Sequence, residues 1–130
     1  MTARRTPGAG RRQAARLIGE NRHLKPAVLD LCALLHLTVA HFRPARMADG
    51  RWRTPVEGDG EGFLDLVIVG TGVLWRELKT FGKKPTPAQL KWIARLKEAG
   101  QDVDVWTGED LQSGRIEREL KAIAGRKDRR

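Results

Sequence analysis

Asp65, Glu77 and Lys79 are the residues of this 130-residue chain whose types and spacing could do chemistry together. They lie in FLDLVIVGTGVLWRELK, Phe63 to Lys79, where two runs of branched apolar residues flank Gly70-Thr71-Gly72. Such runs around a glycine-bearing loop of three residues read as a β-hairpin. If Val69 faces Val73 across the loop, stepping back along both runs brings Asp65 opposite Glu77. Side chains alternate along a strand, so Lys79 points to the same face as Glu77. Opposed carboxylates have Cβ atoms roughly 5 Å apart and repel unless a cation lies between them. A hard divalent ion meets that need, because Mg²⁺ takes one or two protein carboxylates and keeps its other positions for water and substrate phosphate. Lys79 is no metal ligand; its ammonium could orient or help deprotonate an attacking water, or stabilise charge that builds on a phosphate. The plainer alternative is a solvated strand face on which Lys79 and Arg76 neutralise two acids. A one-residue slip of register would send the two acids to opposite faces.

Several elements must hold these groups. A helix is expected from the low twenties to His36, on the apolar stripe Leu24, Val28, Leu31, Cys32 and Leu35. Pro26 pushes its regular part toward Lys25, since proline fits the first helical turn and not the interior. Leu37 to Phe42 reads as a strand that Arg43-Pro44 ends. Thr86-Pro87-Ala88-Gln89 has the form of a capping box and opens a helix to Ala99, with Gly100 as its stop. Gln89 therefore has a structural reading as a cap and a chemical one as an amide beside Lys79. Asp102 to Trp106 alternates acid and valine as a strand, and a right-handed crossover would lay it parallel to the strand of Glu77. Asp102 and Asp104 read as a solvated strand edge in preference to extra metal ligands. Ile116, Leu120 and Ile123 mark a last amphipathic helix, which completes an α/β domain of order α-β-β-β-α-β-α.

Arg43 to Gly62 has no apolar periodicity and carries Arg43, Arg46, Arg51, Trp52 and Arg53. Guanidinium groups around an aromatic can grip phosphates and stack on a base or sugar, so this long loop is the candidate substrate contact. The alternative is that Trp52 folds onto the core and the arginines only solvate the loop. Lys83 and Lys84, in the turn after the hairpin, are further candidate phosphate contacts. Lys plus Arg is 25 against 16 for Asp plus Glu, a net charge of +9. That surplus favours a polyanionic partner and salt-dependent binding without choosing among nucleic acids or a membrane surface.

The length suits one domain with a sizeable core. Residues 20–124 read as that domain, 1–19 as a basic arm with Arg4, Arg5, Arg11, Arg12 and Arg16, and 125–130 as a basic tail. Cys32 is the single cysteine, which rules out an internal disulfide and suits a small core residue. No apolar run approaches the roughly 20 residues that span a bilayer, and no signal-peptide core is present, so a soluble cytoplasmic protein is expected. His23, His36 and His41 are not spaced as a metal cluster, and Gly70-Thr71-Gly72 lacks the third glycine and following helix of a dinucleotide loop. No nucleotide cofactor is expected.

Taken in order, these segments resemble the PD-(D/E)XK nuclease superfamily and, more closely, VRR-NUC (virus-type replication-repair nuclease) domains of the stand-alone phage and bacterial type. The resemblance runs from about Val28 to Leu120, through the first helix, HFRPAR, the glycine-rich loop, GFLDLVIV, WRELKT, PTPAQLKWIARLKEAG and VDVWTGEDL. It implies a restriction-endonuclease-like core, a mixed central sheet flanked by helices, and Mg²⁺- or Mn²⁺-dependent hydrolysis of DNA. It also implies a site of Asp65, Glu77, Lys79 and Gln89, with the metal on Asp65, Glu77 and the backbone carbonyl of Leu78. Further implications are a homodimer, branched DNA or four-way junctions as substrate, roles in replication, repair or recombination, and a bacterial or phage-infected host cytoplasm. Leu64 departs from the proline that usually precedes the first aspartate. The acid that many relatives carry at the start of the first helix has no clear counterpart: Glu20 is the candidate acid, while His23 stands nearer the place. A non-catalytic nucleic-acid adaptor with the same fold is the rival reading, against which the presence of all three charged residues argues.

Overall fold

A computed structural model describes residues 21–42, 45–53, 57–80 and 82–125. The expected arm, Glu20, Arg43 and the last five residues of the tail lie outside these described residues.

Helix α1, Asn21–Leu34, buries Leu24, Val28 and Cys32 in one stripe. Pro26 stands inside this helix, where the sequence placed it at the start. An interior proline costs about 3 kcal/mol, and full burial of Leu24 and Val28 on either side, worth roughly 1.5–3 kcal/mol each, offsets it. The helix stops short of His36, which instead takes the left-handed closing position at φ 59 while Leu37 N–H donates to Cys32 O. Burial pushes the Cys32 thiol up to about 11, so it behaves as a core residue.

Four strands make the main sheet: β1 (Thr38–His41), β4 (Leu66–Val69), β5 (Val73–Leu78) and β6 (Asp102–Trp106), in the spatial order β1-β4-β5-β6. β1/β4 and β4/β5 are antiparallel, and β5/β6 is parallel across the crossover that holds helix α2, Pro87–Glu98. The stretch expected to be irregular contains a minimal second sheet, β2 (Ala45–Arg46) with β3 (Trp52–Arg53). Two-residue strands leave no periodic apolar pattern to read. A short helix α3, Gly108–Gln112, also went unexpected and precedes α4, Arg115–Ile123.

The hairpin register is the expected one, Val69 with Val73 and Leu66 with Arg76. Its turn is fixed from outside: Thr71 N–H donates to Ile123 O at 2.6 Å, and a Cβ on Gly70 would meet that same oxygen at 2.0 Å. Gly70 is needed for this close approach as much as for the turn.

The sheet has a core on each face. Leu66, Ile68, Leu74, Leu78 and Trp106 pack with α1 and with Ile116 and Leu120 of α4. On the other face Leu64, Val103 and Ile93 of α2 cluster with Trp75, Trp92, Leu96 and Val105. The molecule is thus a mixed α/β fold with helices on both faces of an open mixed sheet. Alternation along β5 sends Leu74, Arg76 and Leu78 toward α1 and α4, and Trp75 and Glu77 toward α2. Among the described residues no helix is long and apolar enough to cross a membrane.

Candidate active site

The β4/β5 ladder ends at Leu66 and Arg76, and the chain bends at Asp65. Asp65 keeps its backbone on β1 by accepting Phe42 N–H at 2.9 Å. Its carboxylate turns to β5 and accepts Leu78 N–H through Oδ2 at 2.8 Å, in place of the next ladder bond. Lys79 stays on the opposite neighbour, donating its N–H to Trp106 O at 3.0 Å. Asp65, Glu77, Leu78 and Lys79 are therefore held by three adjacent strands at one end of the sheet.

Glu77 is only 2% exposed, yet its two oxygens are treated unequally. Oε2 accepts Gln89 Nε2–H at 2.7 Å and lies 3.5 Å from Lys79 Nζ. Oε1 is buried and no N–H or O–H donor reaches it among the described residues, while the Glu77 and Asp65 carboxyls lie close enough to share a hydrogen bond when one of them is protonated. A buried carboxylate oxygen without a donor needs a proton or a cation. Burial first, and then the Asp65 charge, push Glu77 up to about 8, against the pull of Lys79. Burial raises Asp65 as well, opposed by the Leu78 N–H and by the ammonium groups of Lys79 and Lys25.

Gln89 caps the helix, as its sequence position allowed, and also reaches Glu77 through its side chain. Its Oε1 accepts Thr86 N–H at 2.9 Å and its own N–H donates to Thr86 Oγ1 at 3.2 Å, which closes the capping box. Because the cap uses the amide oxygen, the NH₂ end must face Glu77. The helix cap thereby fixes the amide as a donor to the carboxylate.

Lys25 is the residue that sequence reasoning missed. It comes from α1, far from the hairpin in sequence, and its only signal was its place beside Leu24 in the buried stripe. Arg51 is exposed and paired with Asp49 at 2.9 Å. Arg46 is exposed on β2, opposite Trp52. The side chains of Trp52 and Arg53 lie outside the described residues. Lys83 and Lys84 are exposed between Lys79 and α2, where Lys83 N–H closes a turn on Thr80 O at 3.0 Å.

Asp102 and Asp104 lie, as expected, on a solvent-exposed strand edge, and they also take part in a second charged network on the opposite face. Arg76, also 2% exposed, donates to Asp102 Oδ1 at 2.9 Å, to Glu119 Oε1 at 3.0 Å and to two backbone carbonyls. Its guanidinium lies 5.0 Å from the Trp106 ring centroid. Arg115 binds Asp104, Asp110 and Glu119. Burial alone would raise Glu119, but hydrogen bonds from Arg115, Trp106 and Arg76 outweigh it and hold Glu119 below the usual carboxylate range. These acids are engaged by arginine and are poor candidates for metal.

Among the described residues no three His, Cys, Asp or Glu side chains converge as a metal cage. The site offers the carboxylates of Asp65 and Glu77, hard donors, with Glu77 Oε1 reached by no donor among the described residues. That set fits Mg²⁺ or Mn²⁺ held by few protein ligands and does not fit a soft or caged metal. No protein-family model, no curated protein and no solved structure matches the chain.

Proposed function

We propose that this protein is a Mg²⁺- or Mn²⁺-dependent nuclease that hydrolyses DNA phosphodiester bonds on a restriction-endonuclease-like core of the VRR-NUC kind. The observation that carries the reading is Glu77: buried beside Asp65, with Oε2 held by Gln89 and Lys79 and Oε1 reached by no donor among the described residues. A structural carboxylate buried to this degree is normally saturated with donors.

Asp65 and Glu77 would hold the ion, Glu77 through Oε1, with the Leu78 carbonyl as the third ligand the resemblance implies. When bound, a divalent ion lowers the pKa of its water and neutralises charge on the scissile phosphate. Lys79, at 17% side-chain exposure, is open enough to meet an attacking water and close enough to Glu77 to share its field. Its ammonium orients that water and stabilises charge on the phosphate in the transition state. Gln89 holds Glu77 Oε2 so that Oε1 stays free for the ion. The net charge of +9, with Arg46, Lys83 and Lys84 on the surface, draws the nucleic-acid backbone toward the protein. A homodimer acting on branched DNA in replication, repair or recombination, in a bacterial or phage-infected cytoplasm, completes the proposal.

The test is cleavage. The protein is incubated with linear, flapped, forked and four-way DNA in Mg²⁺, Mn²⁺ or EDTA, beside Lys79→Ala and Glu77→Gln. Metal-dependent cutting by the wild type, lost in both variants, is the expected result. Cleavage that survives both substitutions would remove the site assignment, and tight DNA binding with no cleavage in any metal would favour the adaptor.

A further inference from the structure

Residues 57–62 return from the β2–β3 pair to β4 along the first turns of α2. Gly62 has φ +80, and a Cβ there would lie 2.5 Å from the Ala88 carbonyl carbon and 2.7 Å from Gln89 N. One turn further along the helix, Trp92 Nε1–H donates to Asp59 O at 2.9 Å. The Phe63 ring then meets Trp92 and Phe42 edge-on, each at 4.9 Å between centroids. The segment is thus pressed against the turn that carries Gln89 and tied to the turn after it.

We propose that the segment Asp59 to Gly62 is a brace on the candidate site, with Gly62 and Trp92 as positioning residues that fix Gln89 against Glu77 and so leave Glu77 Oε1 to the cation. The part concerning the cation rests on the nuclease reading; the placement of Gln89 does not. Distance makes the brace matter. The Gln89–Glu77 bond is 2.7 Å long, and a shift of about 1 Å would take it beyond hydrogen-bonding range. A side chain at Gly62 demands a shift of that order, because it meets helix backbone at 2.5 Å where ordinary contact begins at 3.4 Å.

The experiment compares the Gln89 side-chain amide resonances of metal-free wild type, Gly62→Ala and Trp92→Phe, assigned with Gln89→Leu, and then titrates each protein with Mn²⁺ by calorimetry. Trp92→Phe retains a ring against Phe63 while removing the bond to Asp59 without forcing the backbone apart, so it guards against loss of folding in Gly62→Ala. In wild type the Gln89 amide should be displaced from free glutamine and slow to exchange, and both variants should move it toward free glutamine. Mn²⁺ affinity should fall about tenfold or more, as for a lost outer-shell partner. Trp92→Phe combined with Gln89→Leu should be no weaker than Gln89→Leu alone. Unchanged Gln89 resonances would overturn the brace. Changed resonances with unchanged affinity, or additive losses, would overturn its link to the metal site. A wild type that binds no Mn²⁺ would instead sink the nuclease reading and that link with it, while the resonances still decide the brace.

Discussion

Arg76 and Glu77 are neighbours on β5, equally buried, and face opposite sides of the sheet into charged clusters of opposite character. On the Arg76 side, two arginines and four acids engage one another, and Arg76 Nε is the one buried side-chain atom there without a partner among the described residues. On the Glu77 side two acids meet one close ammonium, and one carboxylate oxygen has no donor among the described residues. Glu119 is held below its usual range and Glu77 is pushed above it. Equal burial with opposite saturation separates a network that holds the fold from one poised for a ligand.

The largest effect should come from Lys79→Ala, which should lower kcat about 10²–10⁴-fold while the melting temperature scarcely moves. An equal loss of cleavage and of stability would make the Glu77 face structural, like the other. Next, Arg76→Ala takes the buried guanidinium from Asp102 and Glu119, which stay partly exposed, and should cost about 1.5–3 kcal/mol in denaturant unfolding. The folded fraction should keep wild-type Mn²⁺ affinity; loss of that affinity at unchanged stability would erase the distinction between the faces.

Part of this contrast was legible beforehand. Alternation alone put Arg76 and Glu77 on opposite faces, and apolar runs meeting at a three-residue loop set the register from Val69–Val73 to Leu66–Arg76, although the ladder ends there and Asp65 reaches the Glu77 region by its side chain and not as a ladder partner. The capping box located Gln89, because a cap is written in four consecutive residues. Lys25 and the partners of Arg76 were not legible, since they depend on how α1 and α4 pack on the sheet. Pro26 misled for the same reason: burial of Leu24 and Val28 overrides a local helix penalty. Gly62 showed no special pattern, as its role is a contact with a helix that begins 25 residues later.

Stability against pH should separate the faces with smaller effects. Glu77 has a raised pKa in the fold, so without metal its contribution is present below about pH 4.5 and is lost as pH rises toward about 8. Glu119 has a lowered one, so its contribution is present above the ordinary glutamate range and is lost as pH falls. Melting temperatures in EDTA should therefore decline from pH 5 to 8, and Glu77→Gln should flatten that decline. A decline that persists in Glu77→Gln would assign it elsewhere. Smallest is the surface term: replacing Lys83 and Lys84 by alanine should lower the salt slope of DNA binding by about one per lysine. An unchanged slope would remove both from the interface.

The central claim is that Glu77 Oε1 awaits a cation, and the direct measurement is Mn²⁺ titration of wild type and Glu77→Gln at pH 8 and pH 6. Wild type should bind Mn²⁺ more tightly at pH 8, releasing protons as it does so, and Glu77→Gln should lose at least about tenfold in affinity together with the proton release. Equal affinity in the two proteins, with no dependence on pH, would contradict the account.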